Sequence, residues 1–531
     1  MGRDSESRNA RSRSKGPRLL GILLCCAVAT FGCGCSPQRS PERVTAFLQM
    51  GKTRTPAGGP LRISAANPRY FGDAAGKVVY LTGSHTWNSF QDWGSADPPP
   101  VYDYQKYLDF LVQHDHNFFR LYVWEQAAGV PWSSEHVYFT PLPYQRTGPG
   151  DALDGRPKFN LRVWNPVYFQ RLRERVQRAG QRGIYVSVML FNGWSVDGKR
   201  SAMTATLQEN GLGDPWLGHP FHRDNNVNGI DGGAMGEVHT LRNKAVTDLQ
   251  KAYVEKVIDT VGDLDNVLWE ISNESNADST AWEYEMIRFI HDVEAKRPKQ
   301  HPVGMTAEFP GGKNFELWES PADWISPGDT ADGLYATNPP AAPGGKVIVN
   351  DTDHIWGIGG NVDWVWKSFT RGMNPIFMDP YEADLAEIYP MYRQHAASPQ
   401  TPGWEEIRKN LGYARSFAER TNLASMTPHA ELAHTGYCLA KPGSEYVVYV
   451  PSQHGWRKRI FRILPSTWFA GSVEVDLSLA TGELKYEWFR PATGATVATG
   501  SITGGGKRSF AAPVNGESLV LYIYARNRND S

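Results

Sequence analysis

Three acidic residues carry the chemistry this sequence could do. Glu274 closes the run Asn266-Val-Leu-Trp-Glu-Ile-Ser-Asn-Glu274, while Asp351 and Asp353 stand in Asn350-Asp-Thr-Asp-His354. Breaking a glycosidic bond requires two carboxyl groups facing each other across a sugar, one to protonate the departing oxygen and one to attack or to activate water. Glu274 is the first candidate for the pair. Asp351 aligns better with the end of its strand and ranks first as its partner, with Asp353 as the alternative. A separation of about 5 to 5.5 Å would give retention and about 6.5 to 9.5 Å inversion; retention is the expectation.

Other polar side chains fall close to these acids in the chain order of the elements. Arg120 could keep an aspartate ionised through charge-assisted hydrogen bonds. His85 and His354 could bind substrate hydroxyls or set the pKa of a carboxylate, or else be satisfied core histidines. Trp87, Trp124, Trp194 and Trp356 come from four different strand ends, and one or two of them could stack on a sugar ring. No metal or cofactor is expected: the sequence has no H-E-x-x-H, no paired cysteines for zinc, no G-x-S-x-G elbow and no P-loop. His219-Pro-Phe-His222 lacks an evident third ligand, and the aspartates of 350–354 lack the remaining ligands of a calcium loop.

The elements that must position these groups follow an alternating rhythm. Short apolar runs that end in polar residues alternate with amphipathic segments, the signature of βα units around a parallel sheet. Strands are expected at 78–83, 117–125, 184–194, 266–274, 301–308, 324–326, 346–354 and 375–381, with helices at 102–114, 166–182, 243–260 and 404–420. A hairpin over 61–81 precedes them. Long insertions follow the second and third strands, and insertions of that length inside a compact domain are usually functional. Eight strands in this order predict a (β/α)8 TIM barrel over 61–427, with active groups at the C-terminal ends of the strands. After 428 the texture changes to short alternating strands at 446–450, 471–477, 484–489, 497–502 and 518–524, separated by turn signals. That spacing predicts a small β-sandwich over 428–531.

Composition narrows the partners. The 531 residues carry 55 Lys and Arg against 56 Asp and Glu, which argues against a nucleic-acid partner held through phosphates. The 18 Trp and 23 Tyr suit a cleft that binds sugars. Residues 1–36 read as a targeting segment: six basic residues precede the apolar stretch 19–31, and Gly32-Cys33-Gly34-Cys35 follows. This arrangement resembles a bacterial lipoprotein signal, with Cys33 or Cys35 as the lipidated residue. It implies export to the cell envelope, or plain secretion, with a membrane met only through the lipid. Residues 37–60 read as a linker. Cys438 is alone in the body beyond the leader, so a disulfide within that body is not possible.

The pattern Trp269-Glu-x-x-Asn273-Glu274 resembles the fourth strand of the (β/α)8 glycoside hydrolases of clan A. That resemblance implies Glu274 as general acid/base and Asn273 as a ligand of the sugar hydroxyl next to the reacting carbon. The clan places a Glu at the end of strand 7, where this chain has only Asp351 and Asp353. Together Gly83-Ser-His-Thr-Trp87, Asn117-Phe-Phe-Arg-Leu-Tyr122, Asn273-Glu274 and Asn350-Asp-Thr-Asp-His354 are similar to the apiosidase-like barrels, whose more common first tip is Gly-Asp-Thr. Gly436-Tyr-Cys-Leu439 and Glu445-Tyr-Val-Val-Tyr449 are similar to the β-sandwich appended to them, which carries an inherited collagen-binding label. The implied function is a secreted or lipid-anchored glycosidase acting on a plant or microbial polysaccharide. The alternative is a catalytically inactive carbohydrate-binding surface protein. A protease, suggested by the label of the tail, lacks a recognisable nucleophile or zinc site.

Overall fold

A computed structural model describes residues 55–130, 137–196, 213–234, 236–330, 334–381, 403–452 and 472–525. The expected leader with Cys33 and Cys35, and the expected linker up to residue 54, lie outside the described residues. The chain is already attached to the body at Ala57 and Gly58. The Ala57 N–H donates to the Gly180 carbonyl at 2.9 Å, and the Tyr185 hydroxyl donates to the Gly58 carbonyl at 2.6 Å.

Eight parallel strands form one sheet in cyclic order: β1 Gly83–His85, β2 Phe118–Leu121, β3 Tyr185–Asn192, β4 Val267–Asn273, β5 Val303–Thr306, β6 Trp324–Ser326, β7 Val347–Asp351 and β8 Asn374–Met378. Ladder pairing runs from β2 through β3 to β8 and back to β1. The Asn117 side chain bridges the remaining seam between β1 and β2, donating to the Tyr80 carbonyl at 2.8 Å and accepting from the Thr82 N–H at 3.0 Å. The strands approach so closely there that a Cβ on Gly83 would lie 2.1 Å from the Phe118 carbonyl oxygen. Only glycine fits at that position.

Alternation along the strands builds the interior in layers. Phe118, Tyr185, Leu268, Trp324, Val349 and Ile376 form one apolar cluster contributed by six strands. Two residues further along the strands, the same parity carries Arg120, Ser187, Glu270, Ser326 and Asp351, all buried. The opposite parity of β4, Val267, Trp269 and Ile271, packs outward in the cluster that holds the helices. One of these is the helix Pro166–Gly180, which starts at the Asn165 cap and buries Phe169, Leu172, Val176 and Ala179, the expected stripe. The Trp324 ring fills the space beside Gly304 of β5, where a Cβ would sit 1.9 Å from a ring carbon. Gly304→Ala is therefore expected to destabilise the barrel by about 1–3 kcal/mol through overpacking, read as a lower urea midpoint at unchanged m-value.

The structure moves several expected boundaries. Val78–Val79 pairs antiparallel with Phe71–Gly72, which also pairs with Arg62–Ile63, so these residues form a separate three-stranded sheet and the first barrel strand starts at Gly83. The insertion after β2 contains a hairpin of Tyr144–Asp151 and Pro157–Trp164. Strand β7 ends at Asp351, and Asp353 begins the helical turn Asp353–Trp356.

At the C-terminal end of the chain, Thr427–Pro428, Cys438–Lys441, Glu445–Val450, Leu519–Ala525, Glu483–Arg490 and Ala495–Thr503 form a six-stranded sheet in that spatial order. A second sheet pairs Ser472–Asp476 with Lys507–Ala511. Tyr446 and Val448 face this second sheet in one core cluster, while Val447 and Tyr449 join Trp366, Phe369 and Phe417 of the barrel helices in another. One strand of period 2 thus joins the two layers of the sandwich to the barrel.

Candidate active site

Arg120 of β2, 1% exposed, stands at the centre of the C-terminal layer of the barrel. Its Nη1 donates to Asp351 Oδ2 and to Asp353 Oδ2, each at 2.9 Å. Its Nε donates to Glu270 at 3.0 Å, and Nη2 donates to Glu270 Oε1 at 2.5 Å and to Asn273 Oδ1 at 2.6 Å. Three carboxyl groups share one guanidinium, which burial alone would make an unfavourable cation and which Glu270 and Asp351 hold firmly protonated. The Ser187 hydroxyl adds a bond to Glu270 at 2.9 Å.

The two aspartates differ in what surrounds them. Asp351 is fully buried: Oδ1 accepts from His85 Nε2 at 2.9 Å and from the Asp353 N–H at 3.0 Å, and Oδ2 accepts from Arg120. Burial pushes its pKa up, but His85 and Arg120 outweigh that and hold it well below the usual carboxylate range. Asp353 is 8% exposed and its one hydrogen bond from Arg120 leaves it the more accessible acid. Burial first, then the charge of Glu274, raises its pKa well above the usual range despite Arg120. Glu274 is likewise 8% exposed. Asp353 and Glu274 thus feel each other's charge at the outer edge of an otherwise buried cluster.

Glu274 follows β4 with φ +49, a left-handed conformation that costs a non-glycine residue about 1–3 kcal/mol. The surroundings impose it. A Cβ on Gly193 would lie 2.2 Å from the Glu274 carbonyl oxygen, so the chain after β3 presses directly on this turn. Ser275 is held by Ser272 at 2.7 Å, by His239 at 3.0 Å and by the Phe309 N–H at 2.8 Å. The other ring nitrogen of His239 lies 3.1 Å from Glu125 Oε1, and His219 lies 3.4 Å from Oε2. Burial would raise the pKa of Glu125, yet His239 and His219 bring it down to about 2.

Of the sequence-derived residues, Glu274, Asp351, Asp353, Arg120, His85, Asn273 and His354 converge. His354 Nδ1 meets Ser326 Oγ at 2.7 Å, and its Nε2 donates to Asn273 Oδ1 at 3.2 Å. Asn273 Nδ2 donates to the Tyr122 hydroxyl at 2.6 Å. His85, Arg120 and Asn273 are buried at 0–1%: Arg120 holds the two aspartates, the role expected of it, His85 meets a carboxylate, the second of its two expected roles, and Asn273 is engaged by Arg120, His354 and Tyr122. The tryptophans separate. Trp194 donates its indole N–H to Glu274 Oε2, and Trp356 is 37% exposed one turn beyond Asp353. Trp124 is fully buried between Trp93 and Phe139, at 5.9 and 5.0 Å, and Trp87 packs in the same core at 5% exposure. Trp93 and Phe139 face each other in the antiparallel pair Asp92–Gly94 with Tyr138–Thr140, and this pair covers the Trp124 ring. His219 and His222 are engaged separately, His222 accepting from the Asp224 N–H at 3.2 Å.

Glu270, Tyr122, Ser187, Ser326 and Phe309 are additions that the sequence reading did not assign. The signal for Glu270 and Ser187 was their parity: each stands two residues after an inward apolar residue, as Arg120 does. Asp351, Asp353 and His354 offer atoms within 4.8 Å of one another, the metal-capable group among the described residues. Arg120 Nη1 already sits 2.9 Å from both carboxylates, and a cation in that place opposes a second one.

No model of a known protein family matches the sequence, and no curated protein does. Among solved structures, the crystal structure of a glycoside hydrolase family 5 from Bacteroides vulgatus is similar to this chain with a TM-score of 0.53 at 13% identity, over 88% of this chain and 93% of that one. A second structure, described as a glycoside hydrolase, gives a TM-score of 0.51 at 13% identity over 89% of this chain and 98% of that one. The shared fold is the (β/α)8 barrel. The overlap is wider than the barrel segment alone, so the likeness continues into the C-terminal strands. At this identity the likeness concerns the fold, and the chemistry has to be argued from the side chains.

Proposed function

We propose that this protein is a retaining glycoside hydrolase, apiosidase-like in type, with Glu274 as general acid/base and Asp353 as nucleophile. The observation that carries the reading is that Glu274 and Asp353, each 8% exposed, are the least buried acids of the cluster around Arg120 at the C-terminal ends of the barrel strands, with the charge of Glu274 acting on Asp353. Asp351 ranks second because both of its oxygens are occupied. In the first step a lone pair of Asp353 attacks the anomeric carbon, Glu274 gives its proton to the glycosidic oxygen, and that oxygen keeps the electron pair of the breaking bond. In the second, Glu274 takes a proton from water as the water displaces the Asp353 ester. Arg120 favours the Asp353 anion against burial and the charge of Glu274, and a proton on Glu274, which its role as acid requires, removes the second of those opposing causes. Trp194 and Trp356 would offer apolar surface to the sugars on either side of the bond.

The leader supports export, with Cys33 or Cys35 as a lipid attachment point at a bacterial cell envelope. A plant or microbial polysaccharide is the proposed substrate class, and no cofactor is required. The test begins with a panel of aryl glycosides and cell-wall oligosaccharides. A 2-deoxy-2-fluoroglycosyl fluoride of the glycone that is cleaved is then expected to label Asp353, read by peptide mass spectrometry. A label on Asp351 would overturn the assignment of the nucleophile. Binding of oligosaccharides with no turnover across the panel would favour a carbohydrate-binding surface protein instead.

A further inference from the structure

Trp194 lies in the short helix Gly193–Val196 directly after β3, and its backbone and ring are both fixed. Its N–H donates to Asn192 Oδ1 at 3.1 Å. Asn192 is held in turn by the Val123 carbonyl at 2.9 Å and by Glu125 Oε1 at 2.7 Å. The indole stacks on Phe309 at 6.3 Å with 22° between the planes. Glu274 on the other side is fixed by its left-handed backbone and by Gly193 pressing on its carbonyl. The bond joining these two fixed groups runs from the indole N–H to Glu274 Oε2, and its direction is unambiguous because an indole nitrogen can only donate.

We propose that Trp194 is a positioning residue for acid catalysis: its N–H makes Oε2 the accepting oxygen of Glu274 and so confines the transferable proton to Oε1. The inference rests on the hydrolase reading above and adds a role for a residue outside the acid pair. When Oε1–H passes its proton to the glycosidic oxygen, which takes the electron pair of the C–O bond, Glu274 becomes a carboxylate. The N–H···Oε2 bond then becomes charge-assisted and strengthens as the reaction proceeds. An interaction that grows toward the transition state lowers the barrier, where an equally strong ground-state contact would not.

Trp194→Phe removes the N–H and keeps an aromatic ring against Phe309. Two probes separate acid catalysis from packing: the phenyl and the 2,4-dinitrophenyl glycosides of the sugar that the enzyme cleaves, the first needing a proton on its leaving oxygen and the second not. The ratio of kcat/KM for phenyl over dinitrophenyl glycoside is expected to fall about 10- to 100-fold in the variant. Equal losses on both substrates would mean a packing role and would overturn the proposal. A substrate-independent measurement checks the bond itself. The indole N–H proton of Trp194, assigned in 15N-tryptophan-labelled full-length protein by its loss in the Phe variant, is expected to move upfield in Glu274→Ala. An unmoved resonance overturns the proposal. A resonance that moves in a protein cleaving neither glycoside overturns the hydrolase reading and this role with it. An unchanged substrate ratio in an active enzyme overturns this role alone.

Discussion

Glu274→Gln is expected to lower kcat by about 10²–10⁴-fold, the range that a positioned general acid contributes, while the dissociation constant of an oligosaccharide ligand changes little. The substitution is nearly isosteric and Gln can still accept the Trp194 N–H, so the loss measures proton transfer and not collapse of the site. Folding stability is expected to stay close to that of the parent, because the left-handed turn and its hydrogen bonds through Ser275 are kept. The variant also separates the two acids. The charge of Glu274 helps hold the pKa of Asp353 up, so its removal should shift the acidic limb of the residual rate to lower pH. Kinetics across pH, with binding followed by calorimetry, checks all three outcomes. Full activity in this variant would exclude Glu274 as the acid/base.

Arg120→Met is expected to have the largest effect on stability, a loss of about 3–5 kcal/mol at neutral pH, since it leaves Glu270, Asp351 and Asp353 buried around a missing cation. The pH dependence carries a sign that simple loss of packing would not. In the parent, the folded pKa of Asp351 lies below its unfolded value, so its contribution is present above the unfolded pKa and is lost as pH falls through the folded one. Without Arg120 the buried carboxyls bind protons more readily folded than unfolded. The deficit of the variant should therefore be largest at neutral pH and shrink on acidification. Urea midpoints for both proteins between pH 7 and pH 5 check this; a deficit independent of pH would mean that the guanidinium acts through volume alone.

Much of the architecture is readable in the chain because it depends on short-range periodicity. The strand at 324–326 and the helix at 404–420 have the expected bounds, and seven of the eight barrel strands lie inside or within one residue of their expected ranges, while the first, expected at 78–83, lies at Gly83–His85. Boundaries fail where a local pattern has two partners to choose from. Val78 and Val79 have strand character, but only the tertiary pairing decides that they join Phe71–Gly72 and not the barrel. The hairpin at 144–164 was masked by Pro141, Pro143 and Pro149, which mark turns without saying what lies between them. The strand expected over 346–354 stops at Asp351, because the residues after it turn into a helix at Asp353 that no local apolar pattern announces.

The residue types of the site were equally legible. An Asn-Glu pair closing a buried strand, and two aspartates closing another, are informative by themselves, because a polar end on an apolar run marks the open face of a parallel barrel. Accessibility was not legible. Asp351 looked the better placed acid by position in its strand, yet His85, Arg120 and a backbone N–H occupy both of its oxygens, and Asp353 is left at the edge. Trp194 and Trp124 looked alike as tryptophans at strand ends; one bonds to Glu274 and the other is sealed by Trp93 and Phe139. The sequence alone determined which groups stand at the strand ends, since alternation and apolar runs are properties of neighbouring residues. Only the tertiary structure decided which of those groups meets solvent, because exposure depends on side chains brought from distant segments, and no local pattern encodes their arrival.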